Sequence, residues 1–371
     1  MAPPLIRSLI SSSLDLSPHF QKPISCYSVS LAFFSSSRSP LPLGDHFIEK
    51  HNFPPEIAFK AASSLTTVKH PRKCDDIISF LKESGFSKPH IEEAVKRMPD
   101  LLSFNLEKTI KPRVKVFRDF GFSNNDVADI LVRDPWIFTR SVDARIVPSI
   151  SYLKSVLGSD ADVVKLLKSS PWFVAFDLQK TLMPNIDFLR SCGVSWSQIV
   201  SYMFNFPRFL LLKHESIRQY VKRLDDLGFD RNSNMFLVAI RTLSSMREET
   251  WEQKLELFRK LGFSQDNIMS TFKKAPQVFA VSERKICEIT EFLHTRKNLG
   301  VSFIVSNPMV LGFSLERRLK PRLQVIEILE SKNLLRRKVS PSTIFRASEK
   351  VFTEKYVSPY LKELENVSMA I

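Results

Sequence analysis

Gly121-Phe122-Ser123-Asn124-Asn125-Asp126-Val127 reads as the end of one helix and the beginning of another. Glycine accepts the left-handed conformation that terminates a helix, the serine oxygen caps the first amides of the next, and Phe122 is placed to staple onto Val127. The same string returns as Gly85-Phe86-Ser87 with Ile91 and as Gly262-Phe263-Ser264 with Ile268. Close variants are Gly193-Val194-Ser195 with Ile199, Gly228-Phe229-Asp230 and Gly300-Val301-Ser302. With Gly158, the seven glycines are separated by 36, 37, 35, 35, 34 and 38 residues. A period in this range marks stacked supersecondary units, each too small to bury its own apolar face, so the chain is expected to be an all-α solenoid.

About ten residues after each boundary comes a proline, at 99, 135, 171, 207, 276 and 308. Proline disfavours helix in the residue before it, so the first helix of each unit should end there. A short apolar step follows: Leu101-Leu102, Ile137-Phe138, Phe173-Val174, Phe209-Leu210, Val278-Phe279 and Val310-Leu311. A second helix then runs to the next glycine and opens with another proline in four units, at 112, 148, 184 and 321. Unit five departs, because Leu243 stands near its proline position and Asn234 at its staple position, and no glycine closes the last unit. The chain therefore divides into residues 1–43, an atypical N-terminal unit at 44–84, tandem repeats at 85–330 and a basic capping segment at 331–371. A side chain should be costly at Gly121 or Gly262 and nearly silent at Gly44, outside the units.

Several function classes are excluded by pattern. No stretch approaches eighteen uninterrupted apolar residues, so no membrane span is expected. Cys26, Cys74, Cys192 and Cys287 lack C-x-x-C partners, which argues against a thiolate zinc site and against a disulfide framework. His70, His90, His214 and His294 are scattered, and no phosphate-loop, metal or nucleophile motif is present, so neither an enzyme, a metal nor a cofactor is expected.

Residues 1–43 hold Arg7, Lys22 and Arg38 against Asp15 and are dense in serine, as an organellar transit peptide would be. Taking those four from 54 basic and 39 acidic residues leaves 51 and 38, a net charge of +13. Such a charge on a solenoid implies an anionic partner; inside an organelle the abundant ones are DNA, RNA and membrane lipid, and organellar nucleic acid is the expected one. The candidate contacts are the C-terminal cations Arg317, Arg318, Lys320, Arg322, Arg336, Arg337 and Lys338, and a ridge of Arg118, Arg190, Arg259 and Lys297, each three residues before a boundary glycine. A second series, Lys96, Arg97, Arg133, Lys168, Lys273 and Lys274, precedes the unit prolines. Cations in a last helical turn also complement the helix dipole, by about 0.3 to 1 kcal/mol, and need no ligand for that. Trp136 and Trp172 follow two of the prolines, where they could pack in the core or stack on unpaired bases.

Units of this length with Gly-Phe-Ser, a proline trailed by two apolar residues, and a second proline opening the next helix resemble the plant form of the mitochondrial transcription termination factor (mTERF) family. The ending Ser348-Glu349-Lys350-Val351-Phe352-Thr353-Glu354-Lys355-Tyr356-Val357 resembles its C-terminal signature. The resemblance, over roughly residues 45–365, implies a left-handed helical solenoid with a basic groove for nucleic acid. It further implies a role in transcription termination or regulation on double-stranded DNA, with intron splicing or transcript maturation on RNA as the alternative. Localisation is expected in the mitochondrion, with the chloroplast as alternative, and the protein is expected to act as a monomer on its target. Pentatricopeptide units share the period but lack the mid-unit proline. A protein-binding scaffold would call for an exposed apolar concave face in place of a basic one.

Overall fold

At Gly121 the backbone turns through φ 87°, the Phe122 amide donates back to the Phe117 carbonyl at 3.1 Å, and the Ser123 hydroxyl accepts from the Asp126 amide at 3.2 Å. This is a left-handed helix stop with its 6→1 bond, followed at once by a capped start. The computed structural model describes residues 41–66, 68, 71–297 and 299–368, with the backbone alone for Leu41, Pro42, Lys297 and residues 365–368. Residues 1–40, where the transit peptide is expected, lie outside it. Among the described residues the chain is helical and holds no strand. The described residues form two compact bodies, divided between Gln219 and Tyr220 inside the helix His214–Asp226.

Six of the seven boundary glycines have positive φ, from 63° at Gly228 to 92° at Gly193. Gly300 does not: at φ −79° it is the N-cap of the helix Val301–Ser306. Two asparagines supply stops that the glycine count misses, Asn52 and Asn333, both at φ 53°. Asparagine tolerates this region better than other side-chain-bearing residues. The 6→1 bond from Leu334 to Leu329 at 2.9 Å repeats the glycine closure, and after Asn52 the Phe53 amide reaches one residue further back, to Phe47 at 3.1 Å. Asn333 therefore ends the last full repeat.

The prolines at 99, 135, 171, 207, 276 and 308 each open a five-residue 3₁₀ turn. The preceding residue is driven out of the helical region, as at Asp134 with φ −138° and ψ 80°. Both apolar residues of every turn are buried, as are the staple pairs Phe86/Ile91, Phe122/Val127, Val194/Ile199 and Phe263/Ile268. Three of the second helices begin with π geometry, at Leu106–Ile110, Val142–Ile146 and Leu315–Leu319, just ahead of Pro112, Pro148 and Pro321. A proline cannot donate to the carbonyl four residues back, so the helix is widened there, and Arg113 Nη1 takes the orphaned Lys108 carbonyl at 2.9 Å.

Repeat five has no proline and no 3₁₀ turn. Its first helix starts late, at Phe236, whose ring lies 6.3 Å from that of Phe229 and takes the staple role. Trp251 then fills the interior, stacked on Phe279 at 5.3 Å and edge-on to Phe272 at 5.0 Å. Gly44 is not outside the packing: it lies in helix Leu41–His51, and a Cβ there would come 2.5 Å from Phe59 Cδ1. A substitution at Gly44 would therefore displace a ring.

Candidate nucleic-acid interface

Cations at helix ends are largely engaged by neighbouring repeats. Arg97 Nη1 donates to the Arg133 carbonyl at 2.9 Å, Lys60 Nζ to Lys96 at 3.4 Å, and Lys274 Nζ to Val305 at 3.0 Å. Each acceptor lies near the C-terminal end of the next repeat's first helix. One repeat thus caps the dipole and orphan carbonyls of the next. Lys168 instead pairs with Asp126 and Asp129 at 2.8 and 2.7 Å, and its hydrogen bond holds the Asp126 carboxyl below the usual carboxylate range.

The four cations expected to form one ridge have different surroundings. Arg118 Nη2 donates to the Ser84 carbonyl at 3.2 Å, and Lys154 makes the equivalent bond to Phe120 at 3.0 Å. The Arg190 guanidinium lies 5.3 Å from the Trp196 ring centre, Arg259 reaches Glu256 and Gln265 at 3.4 Å, and the Lys297 side chain is outside the described residues.

A polar column that sequence reading missed ties each second helix to the following turn. Arg113 donates to Arg140, Ser149 to Phe176, Asn185 to Leu212 and Lys285 to Gly312, all between 2.8 and 3.1 Å and each across 27 residues. Arg113, Ser149 and Asn185 each directly follow the second proline. A polar residue on an otherwise apolar face was the available signal.

The same position holds one member of the C-terminal basic cluster. Arg322 follows Pro321, is 0% exposed, and donates to the carbonyls of Ile344 and Ala347 at 2.7 and 2.6 Å and to Glu349 at 2.7 Å. Its guanidinium also lies 4.7 Å from the Phe352 ring. Arg318 donates to Phe345 and Ala347 at 2.9 and 2.7 Å and lies over Phe313, and burial pulls its pKa down. Arg322 cannot reach a phosphate, and Arg318 is committed to carbonyls of the same segment, sharing that of Ala347. Both are removed from the contact set, because fixing the C-terminal segment to the last repeat is what buries them. Lys320 pairs with Glu316 at 2.5 Å on the surface. Arg317, Arg336, Arg337 and Lys338 are exposed, with no side-chain partner among the described residues.

In the first body a second exposed surface lies along the 3₁₀ turns. The residue after the unit proline is Asp100 in the first repeat and then Trp136, Trp172 and Arg208 in the next three. Trp136 is 55% exposed, Trp172 is half-buried against Phe173, and Arg208 lies 5.8 Å from the Trp172 ring. An open groove of about 450 Å³ is lined by Trp172 with Arg97, Arg133, Asp134, Ser169 and Pro171. Burial raises the Asp134 carboxyl above the usual range. The equivalent turns of the second body line a smaller groove of about 230 Å³ with Lys274, Asn307, Pro308, Met309, Ser342 and Arg346.

Stacked helical repeats that present cations and a large aromatic along one set of turns define a helical-repeat protein of the nucleic-acid-binding kind. The mTERF family profile matches residues 46–226 and 226–353, and the chain belongs to the mTERF family. That membership carries nucleic-acid-binding regulation of organellar gene expression as the general role. No curated protein matches the chain. Among the described residues no helix is long and apolar enough to cross a membrane.

Proposed function

We propose that the chain binds double-stranded DNA as a monomer in the mitochondrion and regulates or terminates transcription there, with the turn edge of its first body as the principal contact. The observation that carries this reading is the exposure of Trp136 beside Arg133 and the groove of Arg97, Ser169 and Trp172. Most other cations near the repeat boundaries are engaged by carbonyls or carboxylates, whereas Arg133 has no side-chain partner among the described residues. Equivalent positions about 36 residues apart suit a ligand whose phosphates are themselves periodic.

Organellar RNA is the second reading, and the same tryptophans favour it, since an aromatic ring stacks on an unpaired base for about 1 to 3 kcal/mol. A duplex DNA and a structured RNA of equal length, titrated at equal ionic strength, separate the two. Tighter duplex binding supports the first reading, tighter RNA binding replaces it with the second, and failure of both ligands at low salt overturns nucleic-acid binding. A fluorescent fusion of residues 1–43 should enter mitochondria; cytosolic fluorescence would remove the organellar assignment.

A further inference from the structure

Near the N-terminal end of the described chain, two imidazoles converge on one carboxylate oxygen. His46 lies within helix Leu41–His51 and His51 is its last residue, while Asp75 lies in the first turn of helix Arg72–Glu83. His46 Nε2 is 2.8 Å and His51 Nε2 is 2.6 Å from Asp75 Oδ1, and the three atoms all lie within 4.8 Å of one another. His51 and Asp75 are buried and His46 half-buried, so the group is a recess with one open side.

Hydrogen bonding alone leaves this group incomplete. For both imidazoles to donate to Oδ1, each must carry its proton on Nε2, and His51 Nδ1 is then a buried acceptor with no donor. Lys50 Nζ donates to the other carboxylate oxygen, Oδ2, at 2.8 Å. That bond leaves Oδ1 as the single ligating atom and supplies the outer hydrogen bond that metal-bound carboxylates ordinarily have. Cys74, next in the chain, is not part of the set. Its thiol is buried and donates to the Leu102 carbonyl.

We propose that His46 Nε2, His51 Nε2 and Asp75 Oδ1 bind one zinc ion, with solvent as the fourth ligand. Two imidazoles and one carboxylate suit zinc better than magnesium or calcium, which take oxygen ligands. Spreading the three atoms onto a shared ion at about 2.0 to 2.2 Å requires small side-chain movements only. The ion would join helix Leu41–His51 to helix Arg72–Glu83 across the intervening helix Pro55–Ser64. It would fasten the first described helix, which follows closely on the residues expected to be removed on import. The site is independent of the nucleic-acid reading.

The test uses the untagged, metal-stripped full chain titrated with zinc and with cobalt(II). One ion per chain, a rise in melting temperature and the intense visible absorption of four-coordinate cobalt are expected, with no response to magnesium. His46→Gln, at the half-exposed edge where folding is least disturbed, should weaken zinc binding about a hundredfold or more, given that outer-shell losses alone cost 10- to 100-fold. Absence of a one-to-one zinc complex, or unchanged affinity in both His46→Gln and Asp75→Asn, would overturn the site.

Discussion

The basic stretch from Glu316 to Lys350 and the turn edge of the first three repeats use the same kinds of side chain to opposite ends. In the stretch, two of the densest cations, Arg318 and Arg322, turn inward to carbonyls of the last helices, and Arg322 is wholly buried. Along the turn edge the charge is thinner, yet Arg133 and Trp136 are exposed, and Arg133 borders a groove with Trp172. Charge density in a sequence is therefore a poor guide to charge that a ligand can reach. In a solenoid each helix end leaves carbonyls that the next repeat must satisfy, and long basic side chains do so before any ligand arrives.

Removing the inward cation should have the largest effect. Arg322→Met leaves the Ile344 and Ala347 carbonyls and Glu349 without their donor, at a cost of about 3 kcal/mol, read as a lowered denaturation midpoint. Arg317→Met, five residues earlier on the surface, should leave the midpoint unchanged. Equal effects at both positions would erase the distinction between clamp and surface charge.

A smaller effect separates two glycines that look alike in sequence. Gly262→Ala forces a side chain into φ 88° with no clash beyond a 3.9 Å contact to Val301, so strain of about 1 to 2 kcal/mol should appear alone. Gly300→Ala, at φ −79° and in open space, should be close to neutral. Thermal melts of the two variants decide it.

Lys254 sharpens the contrast from another side, since it is buried without the carbonyl clamp that Arg322 has. Burial lowers its pKa, and Glu283 only partly opposes this. The unfolded chain then binds the proton more tightly than the folded one, so stability should rise as pH climbs from the depressed folded value toward the ordinary lysine range. Lys254→Met should raise the melting temperature modestly at pH 7, and its advantage should shrink in alkaline buffer. An advantage that does not vary with pH would show that charge burial is not the cause.

The fold was legible because its signals are local. A stop, a cap and a staple lie within seven residues, and a proline fixes its neighbour's backbone whatever surrounds it. The π turns before Pro112, Pro148 and Pro321 were not visible, because a proline in an early helical turn can be absorbed in several ways and the choice depends on whether a side chain such as Arg113 takes the orphaned carbonyl. The stops at Asn52 and Asn333 were hidden by a glycine-based count. The interface was legible only in part. Arg317, Arg336, Arg337 and Lys338 remained outside, but Arg318 and Arg322 did not, because their partners are 22 to 29 residues away and no local pattern announces them. The convergence of His46, His51 and Asp75 likewise depends on how two separate helices pack.

Replacing Arg317, Arg336, Arg337 and Lys338 with glutamine should have a weaker effect on recognition than on salt dependence. Every duplex phosphate deprived of its cation flattens the log–log salt slope by about 0.9, with melting unaffected. An unchanged slope would place these cations off the binding path.

The most direct measurement is the affinity of an Arg133→Gln, Trp136→Ala variant for duplex DNA and for structured RNA at fixed ionic strength, beside the wild type and the four-glutamine variant. Neither substituted side chain has a hydrogen-bonding partner among the described residues, so folding should be preserved. Loss of at least tenfold in affinity for the preferred ligand, exceeding the loss in the four-glutamine variant, is expected if the turn edge is the contact. Wild-type affinity for both ligands would contradict it and return the binding surface to the C-terminal cations.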